Sequence, residues 1–250
     1  MTRETDVWAQ LGTVNDPELD ESVTELRFVT EVAVSDAGAV RVSFRLPTYW
    51  CAANFAFLMA EDMRLAVAAL PWVTDVQVTL GEHMYADTIN SGIAEKQSFQ
   101  TTFGDASDGD LEEVRRTFLV KAFQRRQVAL VEHLQAAGHE MEALASLSIA
   151  ALRRLSDTGL VERYLDRRRI VAVNADDAPA FVDDNGCAIE ADSFRSHIRA
   201  LRRVAVNVEF NGALCRGLLA ARFDEAEDKT REPTLRDFIH ALPAEKRHSL

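Results

Sequence analysis

Cys51 stands where a thiol can do chemistry. In the stretch RVSFRLPTYWCAANFAFLMAEDMRLAV, it falls between two hydrophobic patterns. Val40, Val42, Phe44 and Leu46 alternate with polar residues, as in a half-buried strand, whereas Asn54 to Leu70 is apolar along one side, as in a helix on a core. A thiol at the start of that helix faces unpaired backbone N–H groups and the positive end of the helix dipole. Both favour thiolate, the form that binds metal or attacks. The competing reading is a buried packing residue, the common fate of a lone cysteine. Thr48 and the indole of Trp50 are placed to frame one side of the thiol. An acidic segment, NDPELDES, crowds Asp16, Glu18, Asp20 and Glu21 into a Pro-containing turn. It is either a solvated turn, or it folds back so that Asp16 or Glu18 serves Cys51 as hydrogen-bond partner or oxygen ligand.

Other chemistries lack their parts. His83, His133, His139, His197, His240 and His248 are scattered, without the Glu-x-x-His pairs of a four-helix di-iron site. There is no Cys-x-x-Cys pair, no phosphate loop, no dinucleotide fingerprint and no Gly-x-Ser-x-Gly elbow. Cys187 lies in a turn-like DDNGCAIE, and Cys215 sits among apolar residues in NGALCRGLLAA. No spacing requests that either join Cys51, although a site uniting them in space is compatible with the chain.

The elements that must position Cys51 are legible around it. A short helix is expected over Val7 to Val14, then the NDPELDES turn, then strands at Phe28–Val34 and Val40–Leu46 joined by the tight SDAGA connection. The helix from Asn54 ends at Pro71, and VTDVQVTL supplies a third strand. The order helix–strand–strand–helix–strand predicts an α+β unit, with helices on one face of a three-stranded sheet. Residues 82–109 lose the pattern and read as an ordered extension ending in a linker. From 110 to 250 the chain reads as a mostly helical accessory, client-binding domain. One helix follows an Asp110/Glu113 capping box as far as Gly138, and a second spans Met141 to Leu155 and closes near Gly159. A third runs through LVERYLDRRR. IVAVNA and VAVNVEF read as β-like, with the helical DSFRSHIRALRR between them, and the last residues read as a peripheral helix and tail. The expected division is therefore 1–81, 82–109 and 110–250.

Composition narrows the function class. The chain has 250 residues, 47% of them hydrophobic, and no run long enough to span a membrane. The N-terminal MTRETDVWAQLG lacks the apolar stretch of a secretory signal. Three unpaired cysteines suit a reducing compartment, so a cytoplasmic protein is expected. Up to Asp105 there are 6 Lys/Arg against 16 Asp/Glu, whereas the remainder carries 22 against 24. So acidic a first part repels phosphate backbones, and no nucleic-acid partner is expected.

Three motifs in sequence order resemble the MIP18-like family, also called domain of unknown function 59, whose members assemble metal–sulfur clusters. They are Val14-Asn15-Asp16-Pro17-Glu18-Leu19, then Thr48-Tyr49-Trp50-Cys51, then Leu70-Pro71-Trp72-Val73 leading into Val76-Gln77-Val78. The resemblance covers about residues 5–81. Ala52 stands where many members have proline, Arg27 replaces a glycine before the hairpin, and Trp72 replaces the turn glycine. These departures mark a divergent member, specialised for one client.

The resemblance implies a role in iron-sulfur cluster or iron-centre assembly and maturation rather than catalysis. Cys51 would be the metal-handling thiol, and Asp16, Glu18, Thr48 and Trp50 would support it. The cargo would be iron or an iron-sulfur cluster, held transiently. One thiolate cannot fill the roughly four ligand positions of such a cluster, which implies a homodimer or a site shared with a client. One branch of the family accompanies a multicomponent oxygenase, so the implied client is a bacterial oxygenase component. Two other readings stay open: a metal-free scaffold or chaperone for an oxygenase subunit, with Cys51 structural, and thiol-dependent catalysis, for which no partner base is evident.

Overall fold

The computed structural model describes residues 2–104, 111–155 and 158–224. Asp110, expected to cap the helix after it, the linker residues 105–109 and the tail from 225 lie outside the described residues. The chain divides into two compact units. One comprises Met1–Leu111 with Phe210–Leu250, and the other Glu112–Glu209. The second unit is thus inserted, in sequence, between two parts of the first. The stretch read as extension and linker contributes helices to the first unit, and so does Phe210–Asp224.

The first unit opens with α1 (Arg3–Leu11), whose N-terminus is capped by the Thr2 hydroxyl accepting from the Thr5 N–H. Strands β1 (Val29–Val34) and β2 (Ala39–Phe44) form an antiparallel hairpin, and β3 (Asp75–Leu80) pairs parallel to β2, giving the order β1-β2-β3. Parallel neighbours need a crossover, and α2 (Ala53–Ala68) is that crossover. On β2, Val40, Val42 and Phe44 are buried while Arg41 faces out, so one face of the sheet is covered. Ala56, Phe57, Met59, Met63 and Val67 of α2 are buried in the same unit. Gly38 closes the hairpin at φ +87°, where a Cβ would run into the Trp72 carbonyl oxygen. The expected α+β architecture is the one observed.

Beyond β3, helices α3 (Ala86–Ala94) and α4 (Phe99–Phe103) continue the unit. The Asn90 amide both accepts from the Leu80 N–H (2.8 Å) and donates to the Leu80 carbonyl (3.0 Å), closing the end of β3. Phe99 meets Phe57 of α2 edge-on, with centroids 5.5 Å apart.

The second unit is helical: α5 (Leu111–Ala136), α6 (Met141–Ala145), α7 (Ile149–Leu155), α8 (Thr158–Arg168) and the first part of α9 (Ala191–Leu219). Its core includes Phe123, Val131, Leu152, Tyr164, Phe181 and Phe194. Three expectations are corrected here. The single helix over Met141–Leu155 is two, because Ser148 caps the second by accepting from the Ala151 N–H, and the N–H groups of Ile149 and Ala150 bond Ala178 and Asp176 instead of their own helix. Gly159 lies inside α8 rather than closing the preceding helix.

Neither β-like stretch is a strand. IVAVNA is a turn. The buried Arg168 guanidinium holds it by donating to the Val173 carbonyl and Asn174 Oδ1, both at 2.8 Å, and also reaches the Pro179 (2.8 Å) and Ala180 (3.3 Å) carbonyls. VAVNVEF belongs to α9, where Leu201, Ala205 and Val208 are buried at helical spacing while Val206 and Phe210 are exposed. Tyr164 donates within hydrogen-bond reach of Gln127 Oε1 and the Ala180 carbonyl, both at 3.0 Å.

Candidate functional site

Two loops and one distant helix build the site. The acidic loop is a closed structure rather than a solvated turn. Val23 N–H donates to the Val14 carbonyl, Asp16 N–H to Glu21 and Asp20 N–H to Asp16, each at 2.9 Å. Asp20 and Arg27 hold positive φ (51° and 58°), the region that favours glycine. The Asp16 carboxylate is only 8% exposed and accepts from the Leu19 N–H at 2.7 Å. Burial, chiefly, raises its pKa to about 6. The Leu19 N–H opposes the rise, and the neighbouring Glu18 and Glu21 charges add to it.

Cys51 lies directly before Ala52, the N-cap of α2, which offers no side-chain cap. The Thr48 hydroxyl is 3.1 Å from the thiol sulfur. His83 fixes the backbone of the thiol loop. Its Nδ1 accepts from the Tyr85 N–H at 3.2 Å, so Nε2 carries the hydrogen and donates to the Cys51 carbonyl at 2.8 Å. Met84 N–H adds a bond to the Tyr49 carbonyl at 2.8 Å. Trp50 points to solvent, 73% exposed, with Tyr49 beside it at 51%. Of the expected supporting residues, Thr48 touches the thiol and Trp50 does not cover it.

The third component comes from the part of α9 that belongs to the first unit. Asn211 Nδ2 donates to Glu18 Oε1 at 3.0 Å, and Arg216 pairs with Glu21 at 2.7 Å. Between them Cys215 is half-buried. Its thiol is pushed up to about 12, first by burial and then by the charges of Asp16, Cys51 and Glu18, with Arg216 opposing. The Asn211–Glu18 and Arg216–Glu21 contacts bring this turn of α9 against the acidic loop. After α9, a π-helical turn (Ala220–Asp224) carries Arg222 to the Glu82 carboxylate (2.8 Å), and the Arg45 guanidinium lies over the Phe223 ring at 4.0 Å.

Sequence reasoning passed over His83, Asn211 and Arg216 and left Cys215 unconnected. His83 had one signal, its place just beyond the third strand and hence near the end of the strand that leads to Cys51. The others had none, since their partners lie 193 and 195 residues away. Among the described residues, no three His, Cys, Asp or Glu side chains converge to hold a metal ion.

The α+β unit, with Cys51 directly before its crossover helix, is the part of the chain that matches a known family. The profile described as "Iron-sulfur cluster assembly protein" matches residues 4–80. An uncharacterized protein of Methanocaldococcus jannaschii is 31% identical over 97 residues, which are 39% of this chain and the whole of that relative. No solved structure matches the chain. The chain belongs to the iron-sulfur cluster assembly protein family, and the match to the archaeal relative leaves more than half of it uncovered.

Proposed function

We propose that this protein is a non-catalytic accessory factor that holds iron or an iron-sulfur cluster on Cys51 and passes it to a client iron protein. The observation that carries this reading is the placement of Cys51. Its thiol stands at the N-terminal edge of α2, bonded to Thr48, on a loop whose backbone His83 locks. The client class we favour is a bacterial multicomponent oxygenase, on the family resemblance alone, and the remaining ligands would come from the client or a second copy of the chain.

Anaerobic iron-sulfide reconstitution of the wild type and Cys51→Ala tests the reading, with absorption spectra and iron and sulfide counts. Colour that depends on Cys51 supports it. Two colourless proteins would refute it.

A second reading, a metal-free scaffold for the same client, is favoured by the exposed Tyr49–Trp50 pair beside the thiol. Aromatic residues exposed in this way are typical anchors of protein interfaces. On that reading Cys51→Ala keeps full client binding in a pull-down.

A further inference from the structure

Four large apolar side chains stand exposed on the two loops around Cys51. Tyr49 and Trp50 come from the thiol loop, and Met84 and Tyr85, 48% and 41% exposed, from the loop after β3. The loops are joined, since Met84 N–H bonds the Tyr49 carbonyl and the His83 ring bonds the Cys51 carbonyl, each at 2.8 Å. Apolar surface gathered in one place, unlike single scattered residues, marks a contact site. The last described turn of the chain grips the same two loops. Arg222 donates to the Leu46 carbonyl (3.4 Å), at the entrance of the thiol loop. It also donates to the Glu82 carbonyl (3.2 Å) and carboxylate (2.8 Å), directly before His83. The Arg222 and Arg45 guanidinium groups lie 4.9 and 4.0 Å from the Phe223 ring centroid, which fixes this turn further. The described chain thus ends, at Asp224, beside the exposed patch.

Beyond it, outside the described residues, the sequence places Leu235, Phe238, Ile239 and Leu242 at i, i+3, i+4 and i+7. That is the spacing with which an amphipathic helix sets its anchors into an apolar surface. Thr234 stands directly before the set with Asp237 three positions on, a capping-box signature, and Pro243 closes it. The span between, residues 225–234, is long enough to reach roughly 15–20 Å. We propose that residues 235–242 dock as a short helix on Tyr49, Trp50, Met84 and Tyr85, and cover Cys51 until a partner that binds the same surface displaces them. The cover is tethered to the two loops it closes, so its effective concentration there is on the order of millimolar. A contact as weak as about 0.1 mM then keeps it docked about nine-tenths of the time. The inference goes beyond the cargo reading and holds whether or not Cys51 carries metal.

The test is made on the full reduced chain, by following iodoacetamide alkylation of each cysteine by mass spectrometry. The double variant Phe238→Asp, Ile239→Asp is expected to speed alkylation of Cys51 about tenfold, the gain that release from nine-tenths occupancy allows. Cys187, exposed in the other unit, and Cys215, half-buried in this one, are expected to keep their wild-type rates. Equal Cys51 rates in the two proteins would overturn the cover, and so would a rise at all three thiols, which reports general loosening. Photo-cross-linking locates the contact directly. With p-benzoylphenylalanine in place of Phe238, the expected product is an intrachain link to the peptides holding Tyr49 and Trp50 or Met84 and Tyr85. Links confined to other peptides would overturn the docking. Links between two copies of the chain would assign the patch to a second copy and overturn the arrangement within one chain.

Discussion

Arg216 of α9 donates to the carboxylate of Glu21 at 2.7 Å, joining residues 195 positions apart in the chain. Both side chains are about 29% exposed, so the pair is sheltered without being buried. It ties the helix that carries Cys215 to the loop that carries Asp16.

That tie has a measurable size. Half-sheltered ion pairs are worth about 0.5–1 kcal/mol and weaken with salt. A double-mutant cycle with Glu21→Gln and Arg216→Met is expected to give coupling of that order at low ionic strength and less at high. Amide exchange across the end of α9 should quicken in either single variant while α2 stays protected. A coupling of zero would mean the contact does not hold the helix.

Asp16 makes stability depend on pH. Its pKa is raised in the folded chain, to about 6 from 3.8, so between those values the folded state keeps a proton that the unfolded state releases. Stability therefore falls as pH rises through about 4 to 6, by on the order of 2–3 kcal/mol. Asp16→Asn keeps the acceptor for the Leu19 N–H and removes the ionisation. The variant is expected to lose this slope and to be more stable than wild type at pH 7 by a similar amount. Urea midpoints of both proteins from pH 4 to 7 decide it, and parallel curves would contradict the assignment.

His83 should matter out of proportion to its place in the sequence. Removing its ring leaves the Cys51 carbonyl and the Tyr85 N–H without their partners. His83→Ala is expected to cost about 2–4 kcal/mol and to speed alkylation of Cys51 by iodoacetamide as the loop loosens. Unchanged alkylation would show that the loop is held by other contacts.

In the second unit, Arg168 is the vulnerable point. Its guanidinium is almost fully buried and bonds three backbone carbonyls and Asn174, all neutral acceptors. Arg168→Met keeps the stem and strands those oxygens, so a loss of about 3–5 kcal/mol is expected. Hydrogen exchange should rise in residues 112–155 and 158–209 while residues 2–104 keep their protection.

The first unit was readable because its strands alternate with period two and its crossover helix is apolar along one side, which places Cys51 at their joint. Arg27 at φ 58° accounts for the glycine that the resemblance leads one to expect there: the backbone bends left-handed, and this chain accepts the strain with a larger residue. Legibility failed where tertiary contacts overrode local pattern. The valines of VAVNVEF alternate as a strand does, yet Leu201, Ala205 and Val208 offer a helical face for burial, and the helix prevails. IVAVNA has β-branched residues, but the buried Arg168 guanidinium, five and six positions before Val173 and Asn174, claims their oxygens. Nothing local to Cys215 showed that its turn of helix meets the acidic loop. Its neighbourhood exists only once α9 reaches the acidic loop.

Inserting one unit between two parts of the other also sets an order of events during synthesis. Glu18 leaves the ribosome 193 residues before Asn211, the residue that will hold it. At roughly 5–20 residues per second, that interval lasts on the order of 10–40 seconds. For most of it the acidic loop and Cys51 exist in the nascent chain while Asn211 and Arg216 do not. The acidic loop is thus made first and pinned last, when Asn211 and Arg216 reach Glu18 and Glu21.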